Sequence, residues 1–142
     1  MDPREFYETA ELLKNHSEQP HIRTSIGRAY YGTFLYFREF LIQNGLEKKK
    51  QPSKDIHAFV TECLQFSNVP EGAKAAVRLK ALFQSRRDAD YNLRMSFTPA
   101  DSNDRLDEAK KTISDFEQTA TPEKKQNIIK NATDFARRKD WI

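Results

Sequence analysis

A chain of 142 residues with 37% apolar and 32% charged residues is polar, yet its 10 Phe, 5 Tyr and single Trp demand a buried core. That excludes a disordered chain and leaves one domain able to fold without a metal or a disulfide, which the lone Cys63 rules out in any case. The formal charge of +3 is local, because Lys124, Lys125, Lys130, Arg137, Arg138 and Lys139 outnumber Glu123, Asp134 and Asp140 while the preceding 118 residues are balanced.

Helices are expected at 3–17, 20–44, 53–66, 70–95, 99–119 and 122–139. Asp2-Pro3-Arg4-Glu5 opens the first with a capping oxygen, a proline and an acid in the first turn. Pro20 opens the second. Its stripe of Ile26, Tyr30, Thr33, Phe34, Phe37 and Leu41 is widened by Tyr31 and Leu35, so the helix should be buried over much of its circumference. Gly45 stops it, and Leu46-Glu47-Lys48-Lys49-Lys50 reads as a solvated loop. Pro52-Ser53 opens the third, where Cys63 belongs to the core. Asn68-Val69-Pro70-Glu71 opens the fourth, in which Val77, Leu79, Leu82 and Phe83 lead to Arg86. Thr98-Pro99-Ala100-Asp101 and Thr121-Pro122-Glu123-Lys124 open the last two.

No sustained alternation signals a strand. The fold class is therefore all-α: an up-and-down bundle of four to five helices in residues 1–119 and a basic amphipathic helix in 120–142. That last helix, with Ile128, Ile129, Ala132, Phe135 and Ala136 on a narrow stripe before Trp141, has three options. It packs on its own bundle, pairs with a second chain or binds a partner. No apolar run is long enough to span a bilayer and no signal peptide opens the sequence, so a cytoplasmic protein without membrane association is expected.

Two segments put charge and phenols inside otherwise apolar helices: Gly27-Arg28-Ala29-Tyr30-Tyr31-Gly32-Thr33-Phe34 and Arg86-Arg87-Asp88-Ala89-Asp90-Tyr91. An unpaired buried charge is costly, so such residues satisfy one another or serve a ligand. At helical spacing Arg87 shares a face with Tyr91, Arg86 with Asp90, and Arg28 with Tyr31. Gly27 and Gly32 each cost the helix about 1 kcal/mol, which is usually accepted where another backbone comes close. If the second and fourth helices cross there, Arg28, Tyr31, Arg87, Asp90 and Tyr91 form one polar cluster. It is either a network that fixes helix register or a cleft in which Arg grips phosphate and Tyr stacks on a base.

His57, one turn before the apolar stripe of the third helix, packs there or projects into the cluster as an acid/base; His16 and His21 read as surface or cap residues. No metal-ligand spacing, glycine-rich phosphate loop or GxSxG elbow is present, so no metal and no cofactor is expected.

The run from Arg23 through Phe34, followed by His57 and then Arg87-Asp88-Ala89-Asp90-Tyr91, resembles the HEPN superfamily. The similarity is to its branch with an R-A-Y-Y-A-x-F helix and a later R-x-x-A-D-Y helix, over about residues 5–118. The resemblance implies an all-helical bundle, usually a homodimer with fourth-helix motifs meeting in a cleft, and RNA as the substrate class. Many such proteins are endoribonucleases of toxin–antitoxin or defence systems, and some sit beside a nucleotidyltransferase-type antitoxin that modifies the HEPN tyrosine. Active relatives carry Arg, four to six residues, then His; here Arg87 is followed at that place by Asn92, which exchanges no proton near neutral pH.

The expected function is accordingly a toxin- or defence-type endoribonuclease. Arg87 holds the scissile phosphate, Asp88 and Asn92 position the sugar, and Tyr91 stacks or donates, with Arg28, Tyr31, Arg86, Asp90 and His57 as binding residues. The alternatives are a non-catalytic RNA- or nucleotide-binding accessory, or partner of a nucleotidyltransferase, and a structural protein acting through its last helix.

Overall fold

A computed structural model of the chain describes residues 1–48 and 56–142. It holds six helices: α1 (Glu5–Leu13), α2 (Gln19–Gln43), α3 (Ile56–Gln65), α4 (Pro70–Tyr91), α5 (Pro99–Thr119) and α6 (Pro122–Arg138). Among the described residues there is no strand, and no helix is long and apolar enough to cross a membrane.

Local chemistry explains most of the boundaries. Thr98 and Asp101 form a reciprocal capping box at the start of α5, and Thr121 accepts from the Lys124 N–H at the start of α6. The entry to α4 differs from expectation: Val69 is its cap and supplies no side-chain hydrogen bond, while Asn68 adopts φ 55°. The expected entry of the third helix at Pro52-Ser53 lies outside the described residues. The first helix stops at Leu13 rather than 17, where the chain turns so that His21 packs on His16 with ring centroids 4.5 Å apart. The fourth stops at Tyr91 rather than 95, in part for a reason that lies in α2.

The α2 helix is the central rod and packs against α1, α3, α4 and α5. Tyr30, Phe37 and Leu41 from α2 join Leu64, Leu79, Leu106 and Ile128 in one core, each no more than 1% exposed. Cys63 is fully buried there, and burial pushes its thiol up to about 12. The α6 helix packs on α3 through Ile128, Ala132 and Ala136, members of the same core, and Asn131 donates to the Ser67 carbonyl at 2.6 Å. Trp141 closes this end against Phe59 and Phe135, with centroids 5.7 and 5.6 Å away. Of the three options for the last helix, packing on its own bundle is the one observed.

Candidate functional site

The α2 and α4 helices meet at Gly27. A Cβ built there would lie 3.8 Å from Asp90 Oδ1 and 4.0 Å from Arg86 Cγ, an ordinary contact with side chains. Gly27 therefore serves no close backbone approach. The tight position is Gly32, where a Cβ would fall 2.6 Å from Tyr7 Cε1. The missing side chain admits the Tyr7 ring, whose hydroxyl donates to the Ala109 carbonyl and lies 2.6 Å from Thr33 Oγ1, tying α1, α2 and α5 together.

Across this junction guanidinium groups and rings alternate. Arg28 lies over Phe6 and Tyr31, at 5.5 and 5.0 Å from their centroids. Arg86 lies over the same Tyr31 ring at 5.3 Å and reaches Tyr91 at 5.8 Å. The result is a ladder, Phe6–Arg28–Tyr31–Arg86–Tyr91, of the kind in which ring quadrupoles attract cations. Asp90, one turn after Arg86, sits 2.8 Å from its Nε, an ion pair by distance in which that N–H makes no aligned hydrogen bond. Arg28, Tyr31, Asp90 and Tyr91 are thus joined as expected, but the hub is Arg86. Arg87 is not part of the ladder, because consecutive helical residues point about 100° apart.

Arg87 lies over Phe83 at 5.9 Å and faces an open concavity of about 760 Å³. Gln84, Arg87, Asp88 and Tyr91 line it from the last turns of α4, and Asn92, Leu93 and Arg94 line it from the turn that follows. All of the expected catalytic residues, Arg87, Asp88, Tyr91 and Asn92, line this one space. Asn92 does so from outside the helix: it is the C-cap, and its Oδ1 accepts the Arg94 N–H at 3.2 Å, which leaves its amide N–H groups for a ligand. Gln84 donates to Asp88 at 3.1 Å. Tyr91 is 71% exposed and stands between ladder and concavity.

His57 reaches the edge of the ladder but not the concavity. Its ring packs against Phe34, Phe83 and, edge-on, Tyr31, with centroids 4.4, 5.2 and 6.3 Å away. Nδ1 is 2.5 Å from the Tyr30 hydroxyl. Burial pushes the Tyr30 phenol well above its ordinary range, so it keeps its proton, and the direction of this bond follows the imidazole tautomer. Burial first, and the Arg86 charge second, hold His57 below its ordinary value. Among the described residues no hydrogen bond or ring contact joins His57 to Arg87.

Two residues absent from the expected site matter to its shape. Arg23 donates to the carbonyls of Ala89, Asn92 and Met95, at 3.0, 3.1 and 2.5 Å. Gln19 beside it grips Phe97 twice, donating to the carbonyl at 2.6 Å and accepting its N–H at 3.1 Å. Arg23 helps end α4: it takes the Ala89 carbonyl in the last turn and shares the Asn92 carbonyl with the Met95 N–H, where the chain turns. The sequence carried a faint signal, since a cation near the start of a helix gains nothing from that helix's dipole and points to an acceptor elsewhere.

Among the described residues no group of three His, Cys, Asp or Glu converges as a metal site would. Comparison with protein-family models, with curated proteins and with solved structures returns no match.

Proposed function

We propose that this chain is a HEPN-type protein that binds single-stranded RNA or a nucleotide at the ladder and the adjoining concavity, and does so as a homodimer. The observation that carries this reading is the set of unneutralised guanidinium groups beside exposed phenol. Arg28, Arg87 and Arg94 have no carboxylate partner among the described residues, and Tyr91 offers an open ring in the concavity that Arg87 and Arg94 line. Guanidinium groups track phosphates, and an aromatic face contributes about 1–3 kcal/mol for each base stacked on it. The dimer reading draws on Val77, 68% exposed above a groove of about 330 Å³ between α4 and α5. A second copy would cover that face.

Cleavage is the second reading, favoured by the four expected catalytic residues sharing one concavity. A dimer that brings two copies of Arg87 together would stabilise developing charge on the phosphate. The general base is the weak point. Asn92 cannot serve, His57 is engaged by Tyr30, and losing such a base costs about 10²–10⁴-fold in rate. Binding without cleavage is therefore the main reading. The exposure of Tyr91 also suits modification by a nucleotidyltransferase-type antitoxin.

The test is incubation of wild type and Arg87→Ala with total RNA, scoring retention and fragmentation, with mass measured by size exclusion. Retention by an intact dimer without fragments is the expected result. Fragments made by wild type alone would select cleavage, and loss of retention in both proteins would end the proposal.

A further inference from the structure

The concavity is built from two backbones of different stiffness. Part of its lining belongs to α4. The rest is the turn after it, where Asn92, Leu93 and Arg94 are exposed and bury nothing that would hold them. The turn has two bonds of its own, Arg94 N–H to Asn92 Oδ1 and Met95 N–H to the Asn92 carbonyl, both at 3.2 Å, and what ties it to α2 comes from behind. Arg23 Nη1 bridges the Ala89 and Asn92 carbonyls, Nη2 takes the Met95 carbonyl, and the guanidinium plane lies 5.1 Å from the Phe97 ring. Gln19 accepts from Arg23 Nε at 3.4 Å and holds Phe97 by both its N–H and its carbonyl. Neither residue lines the concavity.

We infer that Arg23, with Gln19, is a positioning residue for ligand binding: by clamping the turn from Asn92 to Met95 it presets Asn92 and Arg94 in the concavity that Arg87 also lines. This rests on the reading of the concavity as an RNA or nucleotide site and adds which residues shape it. The rationale is preorganisation. Ordering backbone costs entropy, and a turn already fixed before the ligand arrives does not charge that cost to binding. The rigid fork of a guanidinium suits carbonyls spread along a turn, whereas an ammonium acts as a single point.

The test is anisotropy of a fluorescein-labelled single-stranded RNA of mixed sequence, with helix content followed by circular dichroism. Arg23→Gln is expected to weaken binding about tenfold with helix content retained, and Arg23→Lys to lose less. In an Arg94→Gln background the Arg23→Gln effect should shrink to under about threefold, whereas with Arg28→Gln it should multiply in full. A merely structural role would give the same loss in every background. If Arg23→Gln fails to fold, Gln19→Ala, which frees Phe97 and the Arg23 Nε but leaves the three carbonyl bonds of Arg23, carries the same cycle. Folded clamp variants that bind like wild type, or losses that simply multiply with Arg94→Gln, overturn the inference while a loss on Arg28→Gln leaves the binding reading standing. Wild type that binds no RNA takes both down.

Discussion

The Tyr30 hydroxyl is hydrogen-bonded to His57 Nδ1 across 2.5 Å, and the pair sits where α2 and α3 meet, within the field of the Arg86 guanidinium. Its first consequence is a pH dependence. The unfolded imidazole takes a proton near its ordinary 6.5, while the folded one resists until lower pH. Below about 6.5 the unfolded chain binds more protons, so stability falls with acidification until the folded pKa is passed and is flat beyond. Between about pH 7 and pH 5 the thermal midpoint of wild type should drop more than that of His57→Gln. Parallel pH profiles would contradict this.

Tyr30→Phe removes the hydroxyl and leaves Nδ1 unpaired among aromatic rings. Urea unfolding should show a loss of about 1–3 kcal/mol, the cost of a polar group stranded in the interior. A variant as stable as wild type would mean that the bond contributes nothing.

The two glycines of the R-A-Y-Y helix should part company. Gly32→Ala pushes a methyl group into the Tyr7 ring and should cost about 1–3 kcal/mol, whereas Gly27→Ala meets only ordinary contacts and should be neutral or gain up to about 1 kcal/mol in helix propensity. Differential scanning calorimetry decides, and equal effects would refute the packing described at Gly32.

Arg87→Gln should reduce the slope of log affinity against log salt for single-stranded RNA by about one, the signature of a lost phosphate contact. Tyr91→Ala should weaken binding by about 1–3 kcal/mol without moving the melt, because the ring is 71% exposed. An unchanged slope and affinity would remove these residues from the interface.

Val77→Asp replaces the exposed apolar side chain of α4 beside that groove with a charge. Sedimentation equilibrium should show a monomer where wild type is a dimer, with the helical signal kept. A wild type that is already monomeric contradicts the dimer reading.

What was legible in the sequence was local. Prolines and the capping residues Thr98 and Thr121 mark helix starts, because cap and capped amide lie within three residues of each other. The Arg86–Asp90 pair follows from helical spacing alone. The end of α4 was not legible, since the guanidinium that helps end it is 66 residues away from the nearest carbonyl it takes. The ladder was only half visible: spacing joins Arg28 to Tyr31, but choosing Arg86 over Arg87 as the next rung needs the crossing of two rods. For the same reason the glycine pair suggested an approach by α4, when the crowded neighbour is Tyr7 of α1.

The sole tryptophan doubles as a built-in optical gauge. Trp141 touches Phe59 and Phe135, with the Lys48 ammonium 5.6 Å from its ring, whereas Tyr30, Tyr31 and Tyr91 cluster around Arg86. Emission excited at the red edge therefore follows undocking of the carboxy-terminal helix, whereas tyrosine absorbance sums all five phenols across the bundle, and the two can be monitored in one cuvette without any label.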